Sequence, residues 1–225
     1  MTSQLETLVW DSMIGAHARF SVGNASARRY LPGFSPIVAF VHPEKADLRA
    51  LEAHCIPGEH LYSNCSVKTT PPGWAVEAEK AMLSLVWEGG VPSPEAGIVT
   101  LGPQMAAQAF DLASLTHPGP FGLRTIELGE FVGLFEEDRL VSMAGERFYS
   151  PPFREISGVC THPAFQGKGR ARRLVSALIR RQLLRGEIPM LHVLAENTVA
   201  KALYEAMGFR ARRETVVSVL SWTPA

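Results

Sequence analysis

The sequence predicts an α/β (α+β) protein in which a small N-terminal α/β layer precedes a larger part built on a central sheet. Two observations support this fold class. From residue 98 onward, strand-like and helix-like segments follow one another in an order typical of a sheet that packs against helices. Within that order, a glycine-containing turn at residues 166–169 joins a buried strand to a long amphipathic helix.

The N-terminal residues contain short elements and no motif that indicates a function. Residues 36–41 are typical of a buried strand, and a short helix is expected to follow it. Residues 61–67 alternate like a half-exposed strand, and residues 79–87 fit either a helix or a strand. Together these elements predict the small α/β layer.

Residues 88–95 are rich in glycine and proline and have the composition of a linker. We therefore predict a domain boundary there, with an N-terminal α/β extension over residues 1–95 and a second domain over residues 96–225. The strand-like segments of the second domain are residues 98–100, 130–135, 140–148, 154–161, 190–195 and 215–222. Its helices are expected to begin near Pro103, Ala171 and Thr198.

The apolar residues of the last two helices predict which faces are buried. The long helix after the glycine turn is expected to bury Ala171, Leu174, Val175 and Leu178. The last helix, capped by Asn197 and ended by Gly208, is expected to bury Val199, Ala202, Leu203 and Ala206.

Charge and composition exclude several classes of protein. Lys and Arg together number 22, as do Asp and Glu, so the net charge gives no support for a nucleic-acid or membrane partner. No apolar run approaches the roughly 18 residues of a membrane span, and residues 1–4 lack the features of a signal peptide. The three cysteines form no disulfide framework. We therefore expect a cytoplasmic protein.

Four residues of zinc-binding type lie close together in the N-terminal part: His54, Cys55, His60 and Cys65. They lack the Cys-x-x-Cys or paired-His spacing of structural zinc sites. Ordinary buried or surface positions are the favoured interpretation, and we predict no metal.

The strand, the glycine turn and the helix start together indicate an anion site. The first turn of a helix presents unpaired N–H groups and the positive end of the helix dipole. Gly167 and Gly169 let this backbone approach a phosphate closely because they have no Cβ. Lys168 and Arg170 add positive charge at the same place.

The spacing of this turn excludes two familiar phosphate motifs. A dinucleotide fingerprint requires glycine or alanine where Arg172 stands, and a nucleoside-triphosphate loop requires serine or threonine where Gly169 follows Lys168. The pattern that fits is Gln-x-x-Gly-x-Ala, formed by Gln166, Gly169 and Ala171. Together with the order of elements, this segment resembles the pyrophosphate-binding motif of the GNAT superfamily of acyl-coenzyme A-dependent N-acyltransferases.

The resemblance covers about residues 98–220 and implies a mixed central sheet with helices on both faces. Residues 1–95 fall outside it, either as an added layer or as a degenerate half-copy of the same fold. The branch that includes the C-terminal half of glycine N-acyltransferases is resembled most in residues 155–163, 189–193 and 203–209.

The resemblance also implies acetyl-CoA as the co-substrate. In this family, the strands that correspond to residues 154–161 and 190–195 splay apart at their C-terminal ends and leave backbone groups free for the pantetheine arm. The residues implied in coenzyme binding are Val159, Cys160, Thr161, Gln166, Gly167, Lys168, Gly169, Arg170, Ala171, Asn197 and Ala200.

Acyl transfer to an amine requires a base for an ammonium group with a pKa of about 10.4 and an acid for a thiolate with a pKa of about 8.5. Tyr204 is the candidate acid, because many members of the family carry a tyrosine at this place, and we expect it on a helix face separate from the buried one. Packing beside Phe209 is the alternative.

Glu155 is the candidate base, in the register of the glutamate in histone-type members. A solvated strand-end carboxylate or a catalytic water is the alternative.

We therefore predict an N-acyltransferase that moves an acetyl group from acetyl-CoA to a primary amine by direct attack in a ternary complex. A covalent route through Cys160 is disfavoured, because on a regular strand Cys160 faces away from Glu155. The alternative class is a coenzyme-binding regulatory module without turnover. The acceptor partner is expected to be a small amine or an amino-acid-like molecule, and a homodimer formed through the N-terminal layer stays open.

Overall fold

A computed structural model describes residues 2–224 and confirms the α/β fold class. The α-helices of this part of the chain are α1 (Thr2–Ile14), α2 (Ala106–Thr116), α3 (Arg170–Leu184) and α4 (Thr198–Met207). The strands are β1 (Ser21–Gly23), β2 (Ala27–Tyr30), β3 (Ile37–Phe40), β4 (His60–Ser63), β5 (Trp74–Trp87), β6 (Val99–Thr100), β7 (Phe131–Glu136), β8 (Arg139–Ser150), β9 (Phe153–Thr161), β10 (Ile188–Leu194) and β11 (Phe209–Trp222).

The described strands form one mixed sheet in the order β1-β2-β3-β4-β11-β5-β10-β9-β8-β7-β6. β9 pairs with β10, and β3 with β4, in parallel. Strand β5 comes from the N-terminal part, yet it lies between β10 and β11 and pairs with both. The sheet is therefore continuous across the residues that we predicted as a linker. The domain boundary between residues 95 and 96 stays a prediction.

Helices cover both faces of the sheet, as the resemblance implied. Helices α3 and α4 pack against Ile156 and Leu191 on one face. Helix α1 packs against Phe153 and Met190 on the other face, and α2 lies on that face too, against Cys160. The alternation of side chains along each strand gives this division, except at Cys160. A β-bulge in β9 between residues 157 and 160 places Cys160 on the same face as Glu155, so the expectation that the two residues face opposite sides, which assumed a regular strand, was wrong. We call the two sides the α3 face and the α1 face.

The buried stripe of α4 differs from the one that we predicted. Val199 is 81% exposed, and Ala202 and Ala206 are exposed as well. The residues that pack into the core are Ala200, Leu203, Tyr204 and Met207. Both sets have helical spacing, so the pattern alone did not distinguish them. Tyr204 therefore lies within the buried stripe and not on a separate face.

Most elements that the sequence analysis missed lie in the N-terminal part. Helix α1 was not predicted, although Leu5, Leu8 and Met13 are fully buried on its inner side. The expected helix after β3 consists of short 3₁₀ turns, of which the longest is Leu48–His54. Residues 79–87, which fitted a helix or a strand, form the second half of β5.

A histidine buried behind α1 makes the fold sensitive to acid. His17 is 3% exposed, and its Nδ1 lies 2.8 Å from the hydroxyl of Tyr30. Burial lowers the pKa of His17 from 6.5 to about 4, and a hydrogen bond with the backbone of Leu128 only partly opposes this effect. The unfolded chain therefore takes up this proton at a higher pH than the folded chain.

We expect the free energy of unfolding to fall as the pH decreases from 6.5 to 4, with about 3 kcal/mol of the loss due to His17. The contribution of His17 is fully present above pH 6.5, since the histidine is then neutral in both states. Denaturant unfolding at a series of pH values measures the slope. In His17→Gln this part of the slope should disappear, and a variant that keeps the slope of the parent would contradict the assignment.

Candidate active site

Strands β9 and β10 separate midway along their length. They pair only over Phe153 to Ile156 of β9, and the rest of β10 pairs with β5 alone. Between residues 157 and 160, β9 has one residue more than the segment of β8 opposite it, which defines a β-bulge. Gly158 lies in this bulge with φ of +61°. The bulge bends β9 away from β10 and leaves a gap between their C-terminal halves.

The turn that follows β9 is open and carries free backbone donors. Gly167 and Gly169 have φ of +75° and +70°, and a Cβ on either would meet no atom within 4 Å. Among residues 2–224, no group accepts a hydrogen bond from the N–H groups of residues 167–172. Successive free donors at a helix N-terminus suit the oxygens of a diphosphate. We call residues 166–172 the anion cradle.

The positive side chains of the anion cradle differ in whether they already form an ion pair. Lys168 and Arg172 are exposed and have no ion pair in the described part of the chain. The guanidinium of Arg170 instead donates to the carboxylate of Glu136 at the end of β7 and, at 3.1 Å, to the carbonyl of Phe165. Arg170 would have to leave Glu136, or share it, in order to contact a phosphate.

Hydrogen bonds within the chain fix the end of β9 where it enters the cradle. The Ser142 hydroxyl donates to the carbonyl of Cys160 at 3.0 Å and lies 2.8 Å from the Thr161 hydroxyl. The side-chain amide of Gln166 donates to the carbonyl of Thr161 at 3.1 Å. Val159 packs towards α3 and α4. The backbone between the bulge and the cradle is thus held in one conformation.

Tyr204 lies in the core beside this segment. Its side chain is 8% exposed and packs edge-on against Phe209, with ring centroids 6.0 Å apart. Its hydroxyl has no hydrogen-bond partner among the described residues. Burial raises the pKa of Tyr204 to about 12, with a smaller contribution from the thiol of Cys160 on β9. The phenol therefore keeps its proton at neutral pH.

The other two residues predicted on α4 form its N-terminal cap. The side chain of Asn197 accepts a hydrogen bond from the N–H of Ala200 at 3.1 Å. This contact fixes the start of the helix that carries Tyr204.

Glu155 belongs to a buried cluster on the α1 face. It is 1% exposed and accepts two hydrogen bonds of 2.9 Å from Arg147 and one of 2.7 Å from Nδ1 of His192. Burial alone would raise the pKa of Glu155, but the charge of Arg147 and the hydrogen bond from His192 outweigh it and hold the pKa at about 2. The carboxylate is therefore ionised and enclosed, unlike the solvated group considered as an alternative.

A narrow cleft opens beside this cluster on the α1 face. Its apolar wall includes Val9, Ile37, Met82 and Phe148. Its polar wall includes Tyr62, Asn64, Arg147 and His192. Pro120, in the loop after α2, closes one side. The cleft is thus built by residues from both sides of the predicted domain boundary.

The sequence analysis did not identify Arg147 or His192 as functional residues. His192 is an ionisable side chain inside an otherwise apolar strand, and Arg147 follows Glu146 near the end of a largely apolar segment; both are signals for a buried polar contact. The signal does not name the partner, because pairing both residues with Glu155 requires the order and register of β8, β9 and β10.

Three further observations concern the cysteines, metal binding and membrane-spanning helices. Cys160 is 7% exposed, and burial raises the pKa of its thiol to about 11, so it is not ionised at neutral pH. Within the described residues, no three His, Cys, Asp or Glu side chains lie close enough to bind one metal ion. No helix between residues 2 and 224 has the length and apolar character needed to cross a membrane.

Comparisons with known proteins show the family to which the fold belongs. Residues 131–218 match the family described as FR47-like protein. The chain is 34% identical to a GNAT-family protein from Novosphingobium aromaticivorans whose crystal structure gives a TM-score of 0.87, and 96% of this chain and 97% of that chain are covered. A GCN5-related N-acetyltransferase-like protein from Streptococcus suis shares the fold, with 15% identity, a TM-score of 0.58 and coverage of 96% and 92%.

A curated relative is the N-alpha-acetyltransferase RimI of Mycobacterium tuberculosis. It is 36% identical over 83 residues, which are 36% of this chain and 51% of the relative. The match therefore spans about half the length of that curated relative. Because the similarity to the Novosphingobium protein extends over nearly the full length of both chains, the chain belongs to the GNAT family of acetyltransferases.

Proposed function

We propose that the protein transfers an acetyl group from acetyl-CoA to a primary amine by direct attack in a ternary complex. The observation that carries this proposal is the position of the anion cradle, directly after the strand that borders the gap between β9 and β10. One extended coenzyme suits both features, with its diphosphate at the cradle and its pantetheine arm in the gap.

The residues of this chain would hold the coenzyme mainly through their backbone. The N–H groups of residues 167–172 would bind the diphosphate, with Lys168 as a mobile positive charge. Val159, Cys160 and Thr161 would bind the pantetheine arm along the free edge of β9, and Asn197 and Ala200 flank it at the start of α4. The bound thioester supplies an activated acetyl group.

The two candidate catalytic residues lie on opposite faces of the sheet. Tyr204 packs with the core on the α3 face, and Glu155 lies with Met190 on the α1 face. Tyr204 would donate a proton to the leaving thiolate, and the Glu155 cluster would serve the attacking amine. This arrangement supports direct attack, because the gap between β9 and β10 connects the two sides.

The cleft on the α1 face would bind the acceptor. Its narrow apolar wall and few polar groups suit a small amine or an amino-acid-like molecule. Residues 1–95 would then contribute to acceptor specificity, since Tyr62 and Asn64 line this cleft. A cytoplasmic location remains part of the proposal, in accord with three cysteines that form no disulfide.

Release of free thiol from acetyl-CoA in the presence of a panel of primary amines tests the proposed function. Amine-dependent release supports it. Tight binding of acetyl-CoA without release from any amine would favour the coenzyme-binding regulatory module. Failure of acetyl-CoA to raise the melting temperature would contradict both.

Tyr204→Phe is expected to reduce kcat about 100-fold, because it removes the proton that the leaving thiolate requires. The stability of the variant should match that of the parent within about 0.5 kcal/mol, since the hydroxyl has no hydrogen-bond partner in the described part of the protein. Steady-state kinetics and denaturant unfolding measure the two quantities. Unchanged turnover would exclude Tyr204 as the acid.

Glu136→Gln is expected to tighten acetyl-CoA binding about threefold at low salt, because it releases the Arg170 guanidinium beside the anion cradle. Glu137→Gln is the matched control, since Glu137 is an exposed neighbour that makes no ion pair among the described residues. Calorimetric titration at two salt concentrations measures the change. An equal effect of both variants would show that only net charge matters.

A further inference from the structure

We propose that His192 accepts the proton of the acceptor amine, and that Glu155 and Arg147 position its imidazole. This inference rests on the proposed acetyl transfer and changes the role of Glu155 from a direct base to a positioning residue. It is carried by the position of His192 between the buried carboxylate and the cleft.

The contacts of His192 fix which nitrogen is free. Nδ1 lies 2.7 Å from Oε1 of Glu155, and because a carboxylate only accepts, Nδ1 carries the hydrogen. Nε2 has no hydrogen-bond partner among the residues that the structure describes. The ring of Phe148 packs edge-on against the imidazole at 6.5 Å. His192 thus presents a lone pair at Nε2, and its side chain lines the cleft.

Glu155 is poorly placed to take the proton itself. Both of its oxygens already accept hydrogen bonds from Arg147 or His192, and only 1% of the residue is exposed. A carboxylate with a pKa of about 2 is also a weak base towards an ammonium group near about 10.4. Histidine is the side chain best suited to accept a proton near neutral pH.

The ionisable groups around the imidazole come from three strands. Glu155 lies on β9, Arg147 on β8 and Tyr62 on β4. Tyr30 on β2 lies behind them and is within electrostatic range of Arg147 and Glu155. The other residues that line the cleft carry no ionisable group: Val9, Ile37, Ser63, Asn64, Met82, Pro120, Phe148 and Val217. The carboxylate of Glu155 is therefore the anion that contacts the imidazole.

The proton transfers balance the reaction. The acceptor attacks as the neutral amine, after its ammonium form has lost one proton to solvent. As the bond between the amine nitrogen and the acetyl carbon forms, a second proton of that nitrogen passes to Nε2 of His192. As the carbon–sulfur bond breaks, the sulfur takes a proton from Tyr204. Solvent then removes the proton from His192 and returns one to Tyr204.

His192→Asn tests the role directly, because the asparagine amide can still donate to Glu155 but offers no base at Nε2. With the best amine of the panel at saturating concentration, kcat should fall about 100-fold or more, and the acidic limb of the kcat profile should disappear. The dissociation constant of acetyl-CoA should not change. Parent turnover with an unaltered rate and profile in His192→Asn would overturn the proposal, whereas no turnover by the parent contradicts the proposed function itself.

Glu155→Gln distinguishes positioning from direct catalysis. Because His192 keeps its free Nε2 in this variant, kcat should fall while the acidic limb of the kcat profile remains present. If Glu155 were itself the base, the limb would vanish in Glu155→Gln and persist in His192→Asn.

Nitrogen NMR of the parent protein gives a readout that requires no activity and no variant. At neutral pH, the ¹⁵N shifts of His192 should show a hydrogen on Nδ1 and a bare Nε2. A ring with its hydrogen on Nε2 would overturn the proposal.

The temperature dependence of the kcat profile gives a further test. The acidic limb of the parent, recorded at two temperatures, should shift as an imidazole does, since carboxylate ionisation is nearly insensitive to temperature.

Discussion

Gly167→Asp is expected to weaken acetyl-CoA binding about 1000-fold. The aspartate would project a negative side chain into the open space where an added Cβ meets no atom within 4 Å, which is the space that the diphosphate requires. Loss of two charge-assisted hydrogen bonds, at about 1.5–3 kcal/mol each, corresponds to roughly this change in affinity. Calorimetric titration with acetyl-CoA measures it.

The opposite end of α3 provides a matched control. Gly186 has the same φ of +75° as Gly167, and a Cβ there would also meet no atom within 4 Å. Gly186→Asp should therefore carry the same backbone strain, about 1 kcal/mol, without a change in affinity. Equal binding by the parent and Gly167→Asp would show that the coenzyme does not use the cradle.

Arg147→Met is expected to destabilise the protein by about 3–5 kcal/mol. Arg147 provides two of the three hydrogen bonds to Glu155, a carboxylate that is 1% exposed. Removal of one partner of a buried ion pair leaves the other charge without compensation, and this costs more than the pair contributes. Denaturant unfolding at pH 7 measures the loss.

Two controls separate this effect from lost packing. The double variant Arg147→Met with Glu155→Gln should recover most of the stability, because it removes the uncompensated charge. Lys80→Met breaks the exposed pair with Glu196 and should cost less than about 1 kcal/mol. A loss below about 1 kcal/mol in Arg147→Met would contradict the burial of an ionised Glu155.

The second half of the fold was predictable from local patterns. The hairpin of β7 and β8, the glycine turn before α3 and the asparagine cap of α4 follow from residue spacing and turn residues. Each of those signals involves residues only a few positions apart, so it can be recognised without knowing how distant segments pair. The position of β5 was not predictable in this way, because it pairs with strands more than 90 residues further along the chain.

The candidate site likewise has one part that was predictable from local sequence and another that was not. The anion cradle is a single segment, and the spacing of its glycines and charges is enough to identify it. The Glu155 cluster and the acceptor cleft combine side chains from strands that are distant in sequence, such as Tyr62 and His192. Tyr204 was proposed as the acid from the family resemblance, but its place in the buried stripe depends on how α4 packs and was not predicted.

A crystal structure with bound acetyl-CoA tests the central claim most directly. We expect the diphosphate oxygens within about 3 Å of N–H groups of residues 167–172, with the thioester in the gap between β9 and β10 and open to the cleft at His192. A coenzyme bound away from residues 167–172, or a thioester that does not reach this gap, would contradict the account.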